Sequence, residues 1–428
     1  MLYDSCNKDD VLMADSRSPL FKGSTTDTTF KRAGFYSMNN YFWRIDPVFP
    51  GGDTIKGDVW YFKKRIPSFP GAEGYGGTAI GGRGGKVVYV TNLNDGGPGS
   101  FRDAVENDSG PRTILFNVSG IITLSDRIVI SEDYITVAGQ TAPGKGICFR
   151  WDPVGVTGDN LIVQNIRVRL GAGVTADGMG LTGANHSIVD HCSISWTIDE
   201  AFSSRNAKNI TLQRTLISEA LNAAGHKNYP VGTEHGYAGS LLGDIGSIHH
   251  NLLAHCNGRN WSIAGVLDGD GNITGKMDIF NMVVYNWGSR STDGFAKEVN
   301  FVNNYYKPGA ATTKMNTILV DNEGFAGSQK YYVAGNILEG KADETIGQKS
   351  YECSGSFTST TCPLVEEPVY GSNATIHSAR DAYKLILSDV GCNQPVFDDH
   401  DIRIIDETLN GTFSLRGSYT KKTRIARS

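Results

Sequence analysis

The sequence predicts an all-β chain built as a parallel β-helix. Three observations carry the prediction. Glycine is abundant, at 52 of 428 residues, and asparagine and threonine are frequent, which favours many short strands joined by turns. Long amphipathic helical patterns are scarce. From about residue 67 onward, short apolar-alternating runs recur, with starts separated by 26, 22, 38, 30, 22 and 32 residues. An insert-tolerant period near 22 is a solenoid signature.

Residues 1–66 stand apart. They are aromatic in places (Tyr41, Phe42, Trp43; Trp60, Tyr61, Phe62) and lack the later pattern, so no role is assigned to them. The glycine-rich FPGAEGYGGTAIGGRGGKVVYVTNLNDGGPGSFRDAV (69–105) reads as a cap on the solenoid, its glycines marking tight turns. The runs follow: NLIVQNIRVRL (160–170), HSIVDHCSISW (186–196), KNITLQRTLIS (208–218), GSIHHNLLAHC (246–256), KMDIFNMVVYNW (276–287), EVNFVNNYYKPG (298–309) and KYYVAGNILEG (330–340). Each holds two strand-like pieces with Asn, Asp or His between them.

A four-residue strand cannot bury its apolar face alone, so each coil must stack on the next. Ile, Val and Leu then align in ladders, and asparagines at equivalent turns can bond from coil to coil. A propeller or sandwich fits less well, because the period is uneven and hairpin turn dipeptides are absent. The long spacings imply loops, which in solenoids build the binding face.

The net charge of −5 gives no reason to expect a nucleic-acid partner. No run of eighteen apolar residues exists to span a membrane. MLYDSCNKDD lacks the apolar stretch of a signal peptide, yet Ser5-Cys6-Asn7-Lys8-Asp9-Asp10 looks like a mature bacterial lipoprotein start with Cys6 lipidated; the alternative is a loose terminus with a chance cysteine. Among seven cysteines, Cys353 and Cys362 bracket a polar span in which a loop disulfide is expected if the protein is exported. Cys148, Cys192 and Cys256 lie in alternating runs and read as small core residues.

Five separate motifs point further. The glycine-rich stretch, GQTAPGKGICF (139–149), SIVDHCSISWTIDE (187–200), HHNLLAHCNGRN (249–260), and NWGSRS (286–291) followed by VNNYYKPG (302–309) occur in one order. Together with DIRIIDETLNGT (401–412) they resemble polysaccharide lyase family 1, the pectate lyases, over about 67–410. The resemblance implies a right-handed, single-stranded parallel β-helix for residues 67–428, with the C-terminal tail packing on it. It also implies calcium-dependent cleavage of polygalacturonate and a secreted, cell-surface or periplasmic location; a monomer is expected.

That reaction is β-elimination. The C5 proton, α to the uronate carboxyl, is weakly acidic, so positive charge must sit on the carboxylate and a base over C5. Asp177 in TADGMGL and Asp199 in WTIDEAF are the calcium candidates, with Glu200 adjacent. They are 22 residues apart, one period, which stacks them about 5 Å apart. Two carboxylates so close repel unless a cation lies between them; otherwise they are solvated corner residues. The family often has a further acid four residues on, where this chain has Ser203. Asp190 reads as a group supporting calcium ligands or as a turn-stabilising acceptor.

The resemblance makes Arg259 the catalytic base, although guanidinium is normally always charged. The other reading is a charged clamp on a substrate carboxylate. Two residues on, where the family commonly has proline, stands Trp261, a candidate sugar platform or a mark of altered chemistry; near the place of a second arginine is Ala264. Lys227 and His235, in the insert at 224–243, are the candidate carboxylate binders. His249, His250 and His255 suggest zinc at first sight, but 249 to 255 spans about 20 Å in an extended strand, so a structural role at stacked corners is preferred. A pectin-active hydrolase on the same fold, or a β-helix that only binds acidic polysaccharide, are the competing functions.

Overall fold

The computed structural model describes residues 1–31, 40–63, 66–264, 267–325, 327–346, 349–358 and 360–414. The chain divides into two compact units, Met1–Pro67 and Ser68–Ser428. In the first, Leu2–Ser5 runs antiparallel between Phe21–Gly23 and Asn40–Ile45, and Val59–Lys63 extends the sheet. Cys6, exposed, follows directly on that first strand. The short helix Lys8–Met13 contributes Val11 to a small core with Tyr3 and Ala14, and buried Arg44 is paired with Asp46 at 2.7 Å.

The second unit is a parallel β-helix of three sheets. Among the described residues, sheet I has nine strands from Gly120–Thr123 to Ile337–Leu338. Sheet II has nine from Ile128–Ile130 to Tyr351–Cys353, and sheet III has ten from Lys86–Val90 to Lys330–Ala334. Every neighbouring pair in them is parallel, and after Lys86–Val90 each coil contributes one strand to each sheet. The two pieces of each sequence run are a sheet III strand and the sheet I strand after it: Ile162–Gln164 then Ile166–Arg169, Ile188–Asp190 then Ser193–Ser195.

The polar residue between the pieces is the bend. Gln164, Asp190, Gln213, His249, Phe280, Val302 and Ala334 are in register down sheet III. The residue after each (Asn165, His191, Arg214, His250, Asn281, Asn303, Gly335) has a φ between 47° and 66°. That left-handed conformation is cheapest for Gly and Asn, which is why Asn recurs there. One residue further on, Asn side chains tie coils together: Asn251 Oδ1 accepts from the Thr215 N–H at 2.7 Å, Asn304 Oδ1 from Met282 at 2.9 Å, and Asn336 Oδ1 from Asn304 at 2.9 Å.

Inside, Ile122, Phe149, Val168, Ile194, Ile217, Leu253, Val284, Tyr306 and Leu338 stack in register along sheet I, and each is fully buried. Trp261 is in this core. Its exposure is 0%, its ring meets Phe202 edge-on at 6.1 Å, and a Cβ on Gly239 would come within 2.5 Å of it. It therefore offers no platform to a sugar; a glycine on the neighbouring coil leaves the room that its indole fills.

Phe101, stacked on Phe116 and tilted against Phe149, plugs the start of the core, while the glycines before it lie along sheet III. Gly76, whose N–H donates to Thr211 Oγ1, passes so close that a Cβ would meet Ser187 O at 2.2 Å. The glycine-rich segment is thus a strap along a face as well as a cap. On that sheet's exposed rows, Lys208, Asp244, Lys276, Glu298 and Lys330 alternate in charge in register, an arrangement of opposite-charge cross-strand pairs.

The helices Ala379–Asp389 and Asp399–Asn410 cover sheet I through Ala382, Ile386 and Ile404 on Leu216, Leu252 and Val283. Residues 415–428 of the expected C-terminal tail lie outside the described residues. Cys353 and Cys362 are disulfide-bonded, Cys192 and Cys256 are buried thiols, and Cys148 is half-buried. No helix of the described residues is long and apolar enough to cross a membrane.

Asp401, fully buried, accepts from Arg169 Nη2 at 2.9 Å and Ser193 Oγ at 2.6 Å, fastening the last helix to sheet I. Asp401→Ala leaves Arg169 buried with part of its charge uncompensated and is expected to cost about 3–5 kcal/mol in urea unfolding. Trp261→Ala is expected to cost about 3–5 kcal/mol through its cavity, read as a lowered denaturation midpoint with KM for polysaccharide unchanged; a raised KM at unchanged stability would restore Trp261 to the sugar-binding surface.

Candidate active site

The candidate residues collect where the chain enters sheet II. Asp177 precedes the strand Met179–Gly180, Asp199 and Glu200 precede Phe202–Ser203, Tyr237 precedes Gly239–Leu241, and Arg259 precedes Ser262–Ala264. Asp293 lies in the next strand, Thr292–Phe295, with Arg290 just ahead of it. Stacked strands repeat the same bend, so side chains far apart in sequence project from adjacent rungs about 4.8 Å apart. The register differs by one residue from a 22-residue repeat: Met179 pairs with Phe202, and the Gly178 N–H donates to Glu200 O at 2.9 Å. Asp177 therefore stands opposite Glu200, with Asp199 one position off.

Carboxylate oxygens of Asp177, Asp199 and Glu200 lie within 4.8 Å of one another. Burial and the neighbouring Asp199 charge raise the Asp177 pKa above the ordinary aspartate value, against a smaller opposing pull from Arg205, Ser203 and Arg259. Burial also acts upward on Asp199, but hydrogen bonds from His235 and His226 outweigh it and hold its pKa low. Glu200 is buried; its Oε1 accepts from Ser240 Oγ at 2.8 Å and pairs with Arg259 Nη1.

Arg259 is in the left-handed region, with φ 46°, and its side chain is 28% exposed, so it pairs with Glu200 and still meets solvent. Its guanidinium lies 4.4 Å over the Tyr237 ring, and that of Arg290 lies 5.6 Å from the same ring. Burial, then repulsion from Arg290, lowers the Arg259 pKa; Asp199, Asp293 and Asp177 act the other way. Arg290 is itself held by Asp293 through two bonds, of 2.6 and 2.7 Å. Beyond it along sheet II a cavity of about 240 Å³ is lined by Arg290, Asp293, Lys314, Asn316 and Glu352.

The insert brings Lys227 to the same rim, where its main-chain N–H donates to Thr175 Oγ1 at 3.1 Å and its side chain is exposed. His235 is placed differently from the sequence expectation. It is buried, with Nε2 2.9 Å from Asp199 Oδ1, so it grips a carboxylate of the protein instead of facing the groove. His226 does the same at 3.3 Å from Oδ2. Asp190 is an internal acceptor, taking bonds from Gln213 Nε2 at 2.7 Å and Gln164 Nε2 at 3.0 Å.

His249 stacks on Phe280 at 4.8 Å, His250 bonds to His249 and His377, and His255 pairs with Glu407 at 3.0 Å. Burial and nearby positive charge push the His250 pKa down to about 3, so the ring is neutral in this corner. Sequence reading left out Tyr237, Arg290 and Asp293. Arg290 was detectable: it lies 31 residues after Arg259, one coil on, in the quoted NWGSRS.

No protein-family model matches the chain. Among curated proteins, the probable pectate lyase C of Aspergillus flavus is 32% identical over 356 residues, covering 81% of this chain and 78% of its own length. That of Emericella nidulans is 34% identical over 350 residues, covering 80% and 76%. Solved structures share the fold at low identity. The cedar pollen allergen jun a 1 has a TM-score of 0.51 at 14% identity, covering 75% of this chain and 92% of its own. A Bacillus subtilis pectate lyase variant has 0.51 at 13%, covering 77% and 98%. On the length and identity of the curated matches, the chain belongs to the pectate lyases and is a polysaccharide lyase.

Proposed function

We propose that the protein is a family 1 polysaccharide lyase that cleaves polygalacturonate outside the cytoplasm by calcium-assisted β-elimination. The observation that carries this is the juxtaposition of Asp177, Asp199 and Glu200 with a half-exposed Arg259 at one sheet entrance. The three carboxylates fit calcium, a hard cation of oxygen ligands. Asp177 fits it best, because burial beside Asp199 leaves its negative charge undercompensated. When bound there, calcium would neutralise a uronate carboxylate and so acidify its C5–H.

The chain's own residues do the rest. Lys227 and Arg290, cationic and partly exposed, hold uronate carboxylates in the groove. Arg259 stands over the reacting sugar and takes the C5 proton at a guanidine nitrogen. Burial and Arg290 favour its neutral form, which is what a base requires. Glu200 opposes this by pairing with it, so any group that competes for the Glu200 oxygens loosens the hold of Arg259 on its charge. The pair also supports a second reading, in which Arg259 stays charged and clamps the substrate carboxylate. With the C5 proton on Arg259, electron flow from C5 expels the C4 oxygen, which takes a proton from water, and leaves a C4–C5 double bond.

Incubation with polygalacturonate is expected to give ultraviolet-absorbing unsaturated product in calcium and none in chelator. New reducing ends without absorbance would identify hydrolysis, and binding with neither would identify a non-catalytic protein. Arg259→Ala is expected to lower kcat at least about 100-fold, within the range for general-base loss, with the fold retained by circular dichroism and the melting temperature lowered by the loss of the partner of buried Glu200. A rise in KM with kcat intact would establish the clamp, and activity equal to the unmodified protein would remove Arg259 from the site.

A further inference from the structure

Asp199 takes part in a second convergence. The insert between the strands Leu216–Ser218 and Gly239–Leu241 carries His226 and His235, and both rings turn inward. Each residue is only 5% exposed. Their Nε2 atoms stand 3.3 and 2.9 Å from the two Asp199 oxygens, and one donor atom from each of the three residues lies within 4.8 Å of the others. The imidazoles are packed side by side, 4.4 Å between centroids, with Tyr229 against both and Tyr237 against His235. The elimination chemistry makes no use of two buried imidazoles.

We infer that Asp199, His226 and His235 form a binding site for a borderline divalent transition ion of the zinc, cobalt or nickel class. This donor set is chemically distinct from the all-oxygen set with which it shares Asp199. Imidazole nitrogen offers little to calcium, which selects oxygen, whereas it suits zinc, nickel and copper. Two histidines and one carboxylate, with a further position open to water or substrate, make a serviceable set for such ions.

The local bonding changes in a defined way. His226 Nδ1 accepts the Asn228 main-chain N–H at 3.2 Å, so in the metal-free protein its proton is on Nε2 and points at Asp199. When the ring proton moves from Nε2 to Nδ1, the Nε2 lone pair is freed for the ion. The Asn228 N–H, on an exposed stretch of the insert, is then taken by water.

The test is a titration of cobalt(II) into the whole protein with calcium in excess, followed by visible absorption and calorimetry. The expected result is saturable binding with the d–d bands of nitrogen-ligated cobalt. Binding should weaken by roughly tenfold or more in His226→Ala and in His235→Ala. Because either variant can disturb the insert, His235→Gln is measured too; it keeps a hydrogen bond to Asp199 but is a poor ligand, and should lose cobalt while retaining its melting temperature. Absence of binding, or binding unchanged in all three variants, overturns the inference. The readout is independent of turnover: cobalt binding in a protein inert on polygalacturonate sinks the lyase reading alone, and turnover without cobalt binding sinks this one alone.

Discussion

Coil-on-coil registration is the constraint on which the molecule depends. Each strand is three to seven residues long in most coils and cannot bury its apolar face except against the rung above and below. The stack from Ile122 to Leu338 shows the consequence: nine side chains from nine coils, all inward, all in register. The left-handed bend after the seven sheet III strands from Ile162–Gln164 to Lys330–Ala334 repeats for the same reason. In those coils the bend hands the chain to its sheet I strand in register, and a one-residue slip there would turn core residues to solvent.

The same constraint builds the site and makes it electrostatically uneasy. Repeating one bend at the entrance to sheet II superimposes whatever side chains are there. On this chain they are acids on two coils, Tyr237 on the next, and arginines on the two after that. The acids are relieved unequally. Glu200 is compensated by Arg259 and Ser240, and Asp199 by two histidines, while Asp177 stays raised by burial and its neighbour. Arg290 is matched by Asp293 but still repels Arg259 across Tyr237. A site so arranged carries undercompensated negative charge on one side and crowded positive charge on the other.

Much of this was legible in order along the chain. The solenoid was, because short runs with a polar residue at the middle report both strand length and corner. Asp177, Asp199, Glu200 and Arg259 were found through motif order and do converge on one entrance. Trp261 was misjudged because an aromatic beside a candidate catalytic arginine looks like a platform. Whether it faces in or out turns on Gly239, 22 residues earlier, whose missing Cβ makes room for the indole. His235 was misjudged because a loop histidine looks free until the carboxylate it meets is known. Arg290 was passed over because the period varies from coil to coil, and spacing alone does not say which residues share a rung.

The sequence by itself determined the architecture and the chemistry available. Alternating short apolar runs can be stable only when stacked, and a cluster of acids near one arginine limits the reactions open to it. Tertiary structure decided the pairings. It put Asp177 opposite Glu200 instead of Asp199, Trp261 in the core, and two histidines of an insert onto Asp199. The physical reason is that composition and period act along the chain, whereas a one-residue shift in register, or a single absent Cβ on the next coil, acts across it and leaves no local mark.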